Sequence, residues 1–244
     1  MQFLGVIPAR YKSSRFPGKP LALIGGTSMI ERVYNQAHSS KMLSRVLVAT
    51  DDQTIYEHCM NAKMEVVMTS ESHQSGTDRV AEVAKTTEAD VIVNIQGDEP
   101  FIPSLNIDLL CRQFVDSDVL IGTLLCPITN RHELRQPHIV KAVRRADGRA
   151  LYFSRAPIPF QQNDDFDIPI YRHLGIYAFT KTVLLEVANL ERGLLEQFES
   201  LEQLRWLEAG YDIMTSVVPE APIGVDLPGD IDKLHRWMEA GGLS

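Results

Sequence analysis

The chain has 244 residues, 44% of them hydrophobic and 23% charged, with a formal net charge of −8 at pH 7. That is the profile of an ordinary globular protein with a substantial core, and the acidic balance argues against a general nucleic-acid binder, which needs a face-wide basic surplus. No apolar run approaches the roughly 18 residues that span a bilayer, no secretory leader opens the chain, and Cys59, Cys111 and Cys126 lack CxxC spacing, so reduced thiols in a cytosolic protein are expected.

The first apolar run, FLGVI (3–7), reads as a buried strand and leads into IPARYKSSRFPGKPL (7–21). This loop sets Arg10, Lys12, Arg15 and Lys19 within ten positions, beside the small residues Ser13, Ser14 and Gly18. A basic, glycine-containing loop at a strand end suggests a phosphate site. It is neither a Walker loop, because Pro20 follows Gly18–Lys19, nor a GxGxxG loop. Lysine as a point charge and arginine as a planar fork instead favour a nucleoside triphosphate clamped by side chains.

Gly25–Gly26 reads as a turn before a helix, with Ser28 and Glu31 in capping-box spacing and Met29, Ile30, Val33 and Ala37 as its apolar stripe. A strand at 45–50, a helix at 53–62 and a strand at 65–68 follow. SGTDRV (75–80) then turns into a third helix, capped by Thr77 or Asp78. The strand at 91–95 runs into Gln96–Gly97–Asp98–Glu99–Pro100, a fourth helix starts at Pro103–Ser104, and a strand spans 119–125. Alternating strands and helices predict an α/β fold, a mainly parallel sheet with helices on both faces. Ligands sit at the carboxyl ends of such strands, where Asp98 could hold Mg²⁺ against phosphate oxygens; a polar strand-end turn is the plainer reading.

The pattern changes after residue 126, with two antiparallel strands around an Asp147–Gly148 turn and a polar stretch, QQNDDFD (161–167). HLGIYAF (173–179) is a further strand, followed by helices at 181–190 and 196–209, the strand IMTSVV (213–218), the loop GVDLPGD (224–230) and a helix from Pro228. This divides the chain into an α/β core over 1–126, an antiparallel insertion over 127–180 and a return to the core over 181–244. His173 and Tyr177 lie four apart on one strand face, and Arg155 ends another strand. Arg, His and Tyr together suit an acidic sugar, with Arg able to pair a carboxylate, although a lone histidine is as often structural. By pattern alone Glu202 and Gln203 are surface residues beside a Leu201, Leu204, Leu207 stripe, and Asp226 is a turn aspartate or a second metal ligand.

Taken in order, IPARYKSSRFPGKPL, VATDD, SGTDR, VNIQGDEP, ALYFSR, HLGIYAF, LEQLR and GVDLPGD closely resemble the 3-deoxy-D-manno-octulosonate cytidylyltransferases, the CMP-Kdo synthetases, along nearly the whole chain. That family transfers CMP from CTP to the anomeric hydroxyl of the acidic sugar Kdo, releasing pyrophosphate, for bacterial lipopolysaccharide. The resemblance implies a nucleotide-diphospho-sugar transferase-like fold with a smaller mixed α/β part that forms the sugar pocket and a homodimer interface. It implies that Arg10, Ser13, Arg15 and Lys19 hold the triphosphate with Arg79 nearby, and that Ser75, Gly76 and Gln96 shape the CTP and sugar pocket. Asp98 and Asp226 resemble the family's Mg²⁺ carboxylates, and Arg155, His173, Tyr177, Glu202 and Gln203 its Kdo contacts. Leu227 and Gly229 depart from a VDTPED-like loop, while Asp226 remains. The implied reaction is in-line attack of the sugar hydroxyl on the α-phosphorus, with Lys19 and Arg10 meeting the developing charge. A cytidylyltransferase for 8-amino-Kdo or another acidic sugar, and a non-catalytic nucleotide-binding module, are the competing readings.

Overall fold

A computed structural model describes residues 1–12, 16–115, 117–162 and 168–239. In chain order its elements are β1 (Phe3–Ala9), β2 (Leu23–Ile24), β3 (Thr27–Ser28), α1 (Met29–His38), β4 (Leu43–Thr50), α2 (Gln53–Asn61), β5 (Val66–Met68), α3 (Gly76–Lys85), β6 (Val91–Asn94) and α4 (Ser104–Arg112). There follow β7 (Ile121–Pro127), β8 (Lys141–Arg144), β9 (Ala150–Ser154), β10 (Tyr171–Thr180), α5 (Lys181–Val187), α6 (Leu194–Glu199), α7 (Gln203–Glu208), β11 (Ile213–Val217) and α8 (Pro228–Glu239). Two compact units divide them, one of residues 1–108 with 222–244 and one of 109–221.

In the first unit the strands are parallel in the order β6-β1-β4-β5. Phe3, Leu4, Val6 and Ile7 of β1 and Val91 to Val93 of β6 are buried, as strands covered on both faces must be. The chain runs one way from β1 through β4 to β5, and the right-handed crossover that parallel strands favour puts α1 and α2 on one face. The return to β6 puts α3 on the other. Each helix start is written locally. Ser28 and Glu31 exchange capping-box bonds at α1, and Asp52 caps α2 by accepting from Ile55 N–H. At α3 the cap is Ser75, two to three residues earlier than the sequence reading, because Ser75 is the extended residue whose hydroxyl accepts from Asp78 N–H while Asp78 answers its backbone.

The chain steps outward from β1 to β4 and β5 on one side and returns to β6 on the other, so the parallel carboxyl ends of β1 and β6 flank the switch point where open α/β sheets bind ligands. The C-terminal helix returns to this unit. Leu234 joins Ile24, Met29, Phe101 and Val225 in a buried cluster, and the Trp237 ring lies 5.1 Å from that of Phe101. Gly25 faces this helix with a positive φ of 56° that suits glycine, and its N–H donates to His235 Nε2 at 3.1 Å.

In the second unit β7 lies between β11, to which it is parallel, and β10, to which it is antiparallel. β8 pairs β10 and forms the expected hairpin with β9 about Asp147–Gly148. The β10–β7 register slips between Leu174 and Tyr177. The single helix expected over 196–209 is broken into α6 and α7 at Ser200, which adopts left-handed φ 53°. Gln203 is accordingly buried rather than on the surface. The three cysteines are free and buried. Among the described residues no helix is long and apolar enough to cross a membrane.

Gly25 holds a positive φ (56°), which costs any L side chain, while the nearest atoms, Met238 Cε and an Arg32 guanidinium nitrogen, can move aside. Gly25→Ala is therefore expected to lower unfolding free energy by about 1–2 kcal/mol. Urea melts followed by Trp237 emission in a Trp206→Phe background measure this, and an unchanged midpoint would show that α8 docks by other means.

Candidate active site

Backbone geometry brings the first group of predicted residues together. Ile95 N–H continues the β6 ladder by donating to Val6 O at 2.9 Å. Two residues on, a Cβ on Gly97 would lie 3.1 Å from the Pro8 carbonyl oxygen. The segment after β6 therefore passes the end of β1 at a distance that suits glycine. The next residue is Asp98. On the β1 side, Gly18 N–H donates to Tyr11 O at 2.9 Å and closes the basic loop at its base. Lys19 then starts a single 3₁₀ turn, Lys19–Leu21.

Lys19 Nζ donates to Asp98 Oδ2 at 2.7 Å and to Val225 O at 2.9 Å, and Val225 N–H donates to Asp98 O at 2.9 Å. Three segments far apart in sequence are thus tied in one knot, with the exposed Asp226 next along the chain. Asp230, which sequence reasoning did not single out, anchors that loop: its Oδ2 accepts from Asp226 N–H at 3.1 Å and Leu227 N–H at 3.0 Å. The Lys233 ammonium, against some desolvation and aided by those two N–H groups, holds the Asp230 carboxyl below the usual carboxylate range. An aspartate four residues after a candidate ligand at a helix start was the available signal.

Arg10 is exposed at the end of β1. Ser13 and Arg15 lie outside the described residues. Ser75 and Gly76 open α3, and a Cβ on Gly76 would sit 3.4 Å from the Pro8 ring, so the first N–H groups of this ten-residue helix adjoin the β1 end. Gln96 is half-buried between β6 and Asp98. Arg79 is placed elsewhere. It is fully buried, pairs Asp51 Oδ2 at 2.7 Å and also bonds Thr69 Oγ1, so its charge is spent inside the core instead of on a phosphate. Its partner Asp51 belongs to VATDD, where an acidic residue closing a buried strand was the missed signal.

The second group lies in the second unit. His173 packs against Phe153 and Tyr177, ring centroids 5.0 and 5.2 Å away. Thr123 Oγ1 donates its proton to Ile176 O (2.8 Å), which leaves His173 Nε2–H to donate to Thr123 Oγ1 (3.0 Å). Desolvation holds the imidazole down to about 3, so it is neutral. Burial, with the Glu202 carboxylate adding to it, pushes the Tyr177 phenol well above its ordinary value. Glu202 Oε1 accepts from Arg205 NH2 at 2.6 Å. The Tyr177 hydroxyl and Gln203 Nε2 are buried without a hydrogen-bonding partner among the described residues. Arg155 is committed largely to the main chain, donating to Glu199 O at 2.7 Å, Pro137 O at 2.9 Å and Ser200 O at 3.2 Å.

Among the described residues no set of three or more His, Cys, Asp and Glu side chains forms a metal cage. The donors near the switch point are instead Asp98 and Asp226, hard oxygens, and Asp98 already draws a cationic partner in Lys19. Such a donor set fits Mg²⁺, which takes one or two carboxylates and completes its shell with phosphate and water oxygens.

A cytidylyltransferase family profile matches residues 4–213. The 3-deoxy-manno-octulosonate cytidylyltransferase of Solibacter usitatus is 44% identical over 243 residues, covering 99% of this chain and 96% of that protein. That of Myxococcus xanthus is 42% identical over 240 residues, covering 98% and 97%. A solved CMP:2-keto-3-deoxy-manno-octonic acid synthetase complexed with CTP superposes with TM-score 0.94 at 39% identity, over 99% of this chain and 100% of that one. A cytidylyltransferase from Leptospira borgpetersenii, 19% identical with TM-score 0.62 over 98% and 87%, shares the fold. With its parallel switch-point sheet and a match over almost its whole length, the chain belongs to the cytidylyltransferase family, among the 3-deoxy-manno-octulosonate cytidylyltransferases.

Proposed function

We propose that the protein transfers CMP from CTP to the anomeric hydroxyl of Kdo, releasing pyrophosphate and supplying CMP-Kdo for lipopolysaccharide synthesis in the cytoplasm. The observation that carries this reading is the knot of Lys19, Asp98 and Val225 at the switch point, where a triphosphate and a cation would meet a lysine and two carboxylates.

The chemistry is phosphoryl-group transfer, in which positioning and charge neutralisation do most of the catalytic work. Arg10 and Lys19, with Ser13 and Arg15 of the same loop, hold the triphosphate, and the N–H groups opening α3 at Ser75 and Gly76 add donors. Asp98 and Asp226 hold Mg²⁺, which when bound supplies positive charge to the phosphate oxygens. Lys19, poised on Asp98, shifts part of its interaction to the departing pyrophosphate as charge builds there. Gln96 lies beside the reacting groups on the nucleotide side. In the second unit Tyr177 and Gln203 offer their unpaired buried polar groups to the sugar, Glu202 accepts from its hydroxyls, and neutral His173 orients them. Arg155 contributes positive charge toward the carboxylate. The sugar hydroxyl attacks the α-phosphorus in line as the bond to pyrophosphate breaks.

A homodimer is part of this reading. Phe160, Leu194 and Phe198 are 82%, 81% and 92% exposed, an amount of apolar surface that a second copy would cover. Phe198→Glu should shift the sedimentation coefficient from dimer to monomer; a wild-type protein that sediments as a monomer at micromolar concentration removes the dimer from the account.

The direct test is pyrophosphate release from CTP and Mg²⁺ with Kdo, 8-amino-Kdo or sialic acid, using ATP, GTP and UTP as controls. Turnover with CTP and Kdo is expected, and Lys19→Ala should reduce it about 10²–10³-fold. No pyrophosphate with any pair refutes catalysis, and preference for the amino sugar moves the specificity. Burial of His173 also sets a pH signature. Its imidazole falls from 6.5 to about 3 on folding, so the unfolded chain binds more protons between those values. This contribution is complete above pH 6.5 and is lost as pH falls toward 3, at no more than about 1.4 kcal/mol per pH unit. His173→Gln, which keeps an N–H donor, should flatten the acid limb of the stability curve; an unaltered limb would assign it to other groups.

A further inference from the structure

Lys141, on β8, is fully buried, yet its ammonium pairs with no carboxylate among the described residues. It donates instead to three main-chain carbonyls, Gln136 O at 3.1 Å, Ile139 O at 2.6 Å and Arg155 O at 2.5 Å. A desolvated cation is costly unless every donor is used, and here all three ammonium protons are. Burial, and then the like charge of Arg155, pull the lysine below its ordinary range, with Glu199 opposing them. Glu199 ends α6 and grips the same residue from the other side. Its Oε1 accepts from Ser154 Oγ at 2.5 Å and its Oε2 from Arg155 N–H at 2.9 Å. The Arg155 side chain completes the circuit through Glu199 O and Ser200 O. Ser200 is the residue in left-handed conformation, φ 53° and ψ 49°, at the elbow between α6 and α7. A strained non-glycine elbow persists where surrounding bonds over-determine it. Glu202 and Gln203 follow directly.

We propose that Lys141 and Glu199 are positioning residues for the sugar-facing groups of the second unit, locking Arg155 and the Ser200 elbow so that Glu202 and Gln203 are presented in one fixed arrangement. Lys141, Arg155 and Glu199 together carry one net positive charge, which favours an anionic sugar over a neutral one. Lys19, Asp98 and Asp226 take no part in this cluster, so its effect falls on the sugar and not on the nucleotide. The inference rests on the proposed sugar-transfer reading for its kinetic consequence, but not for its structural one.

The test uses the full chain with Lys141→Met and Glu199→Gln. Each should raise KM for Kdo at least tenfold while KM for CTP stays within twofold, and hydrogen exchange should quicken at residues 199–204 with no change across β1, β4 and β6. A merely structural role would lower the folded fraction, and hence apparent kcat, with both KM values unmoved. Glu199→Gln, at the half-exposed end of the circuit, keeps the test decisive if Lys141→Met does not fold. Unchanged exchange at 199–204 in a folded variant, or equal rises in both KM values, overturns the proposal. If the wild-type protein fails to use Kdo, the transfer reading falls, and the exchange result alone still decides whether Lys141 and Glu199 hold the elbow.

Discussion

Lys19 and Asp98 meet at 2.7 Å across 79 positions of sequence, and with the Val225 carbonyl they hold together the end of β1, the end of β6 and the approach to the C-terminal helix. As a source of stability such a contact is minor, since ion pairs with access to water net roughly 0.2–1 kcal/mol. Its consequence is positional. The lysine cannot bond Asp98 and Val225 at once unless all three segments arrive together, and their arrival places Asp226 beside the same point. The surrounding structure serves that convergence: Gly97 lets one strand end pass the other, Asp230 holds the loop behind Asp226, and α8 seals the arrangement through Leu234, Trp237 and His235.

The second unit solves a different problem with different physics. Its interior is aromatic, with Phe153, His173, Tyr177, Phe179 and Trp206 in mutual ring contact, and a neutral histidine is the form that such surroundings accept. The formal charges that are buried there are matched locally: Arg205 pairs Glu196 at 3.1 Å, and Lys141 spends its ammonium on main-chain carbonyls. Groups that look alike in sequence therefore act unlike in the fold. Arg10 stands in solvent, Arg79 is sealed against Asp51, and Arg155 braces an elbow. Residue type limited the chemistry available to each, and depth decided which part of it is used.

Local signals were readable wherever the determining atoms lie within a few residues of one another. Alternating apolar runs and helical stripes predicted the parallel α/β core, the Ser28–Glu31 cap was visible as spacing, and Asp147–Gly148 announced its hairpin. The basic loop and the Gly97–Asp98 turn could be assigned to strand carboxyl ends, and the ordered motifs brought the family into view. Local spacing failed where two local solutions competed. Thr77 and Asp78 were the expected caps of α3, yet Ser75 caps it, with Asp78 at N3, because the backbone enters the helix from an extended Ser75.

Long-range pairing was hidden. Nothing near position 79 says that its arginine will find Asp51, and no periodicity predicts that a leucine-striped helix will break at Ser200, where the Arg155 side chain bonds the main chain of Glu199 and Ser200. The length, the fold class, the capping box that starts α1 and the chemical character of each loop follow from the sequence, because propensity, capping and turn chemistry act over a few bonds. Which charges are buried and paired, which polar groups are left without partners and where the three distant segments of the nucleotide-side knot converge follow from the folded chain, because desolvation and hydrogen bonding depend on neighbours that only packing supplies.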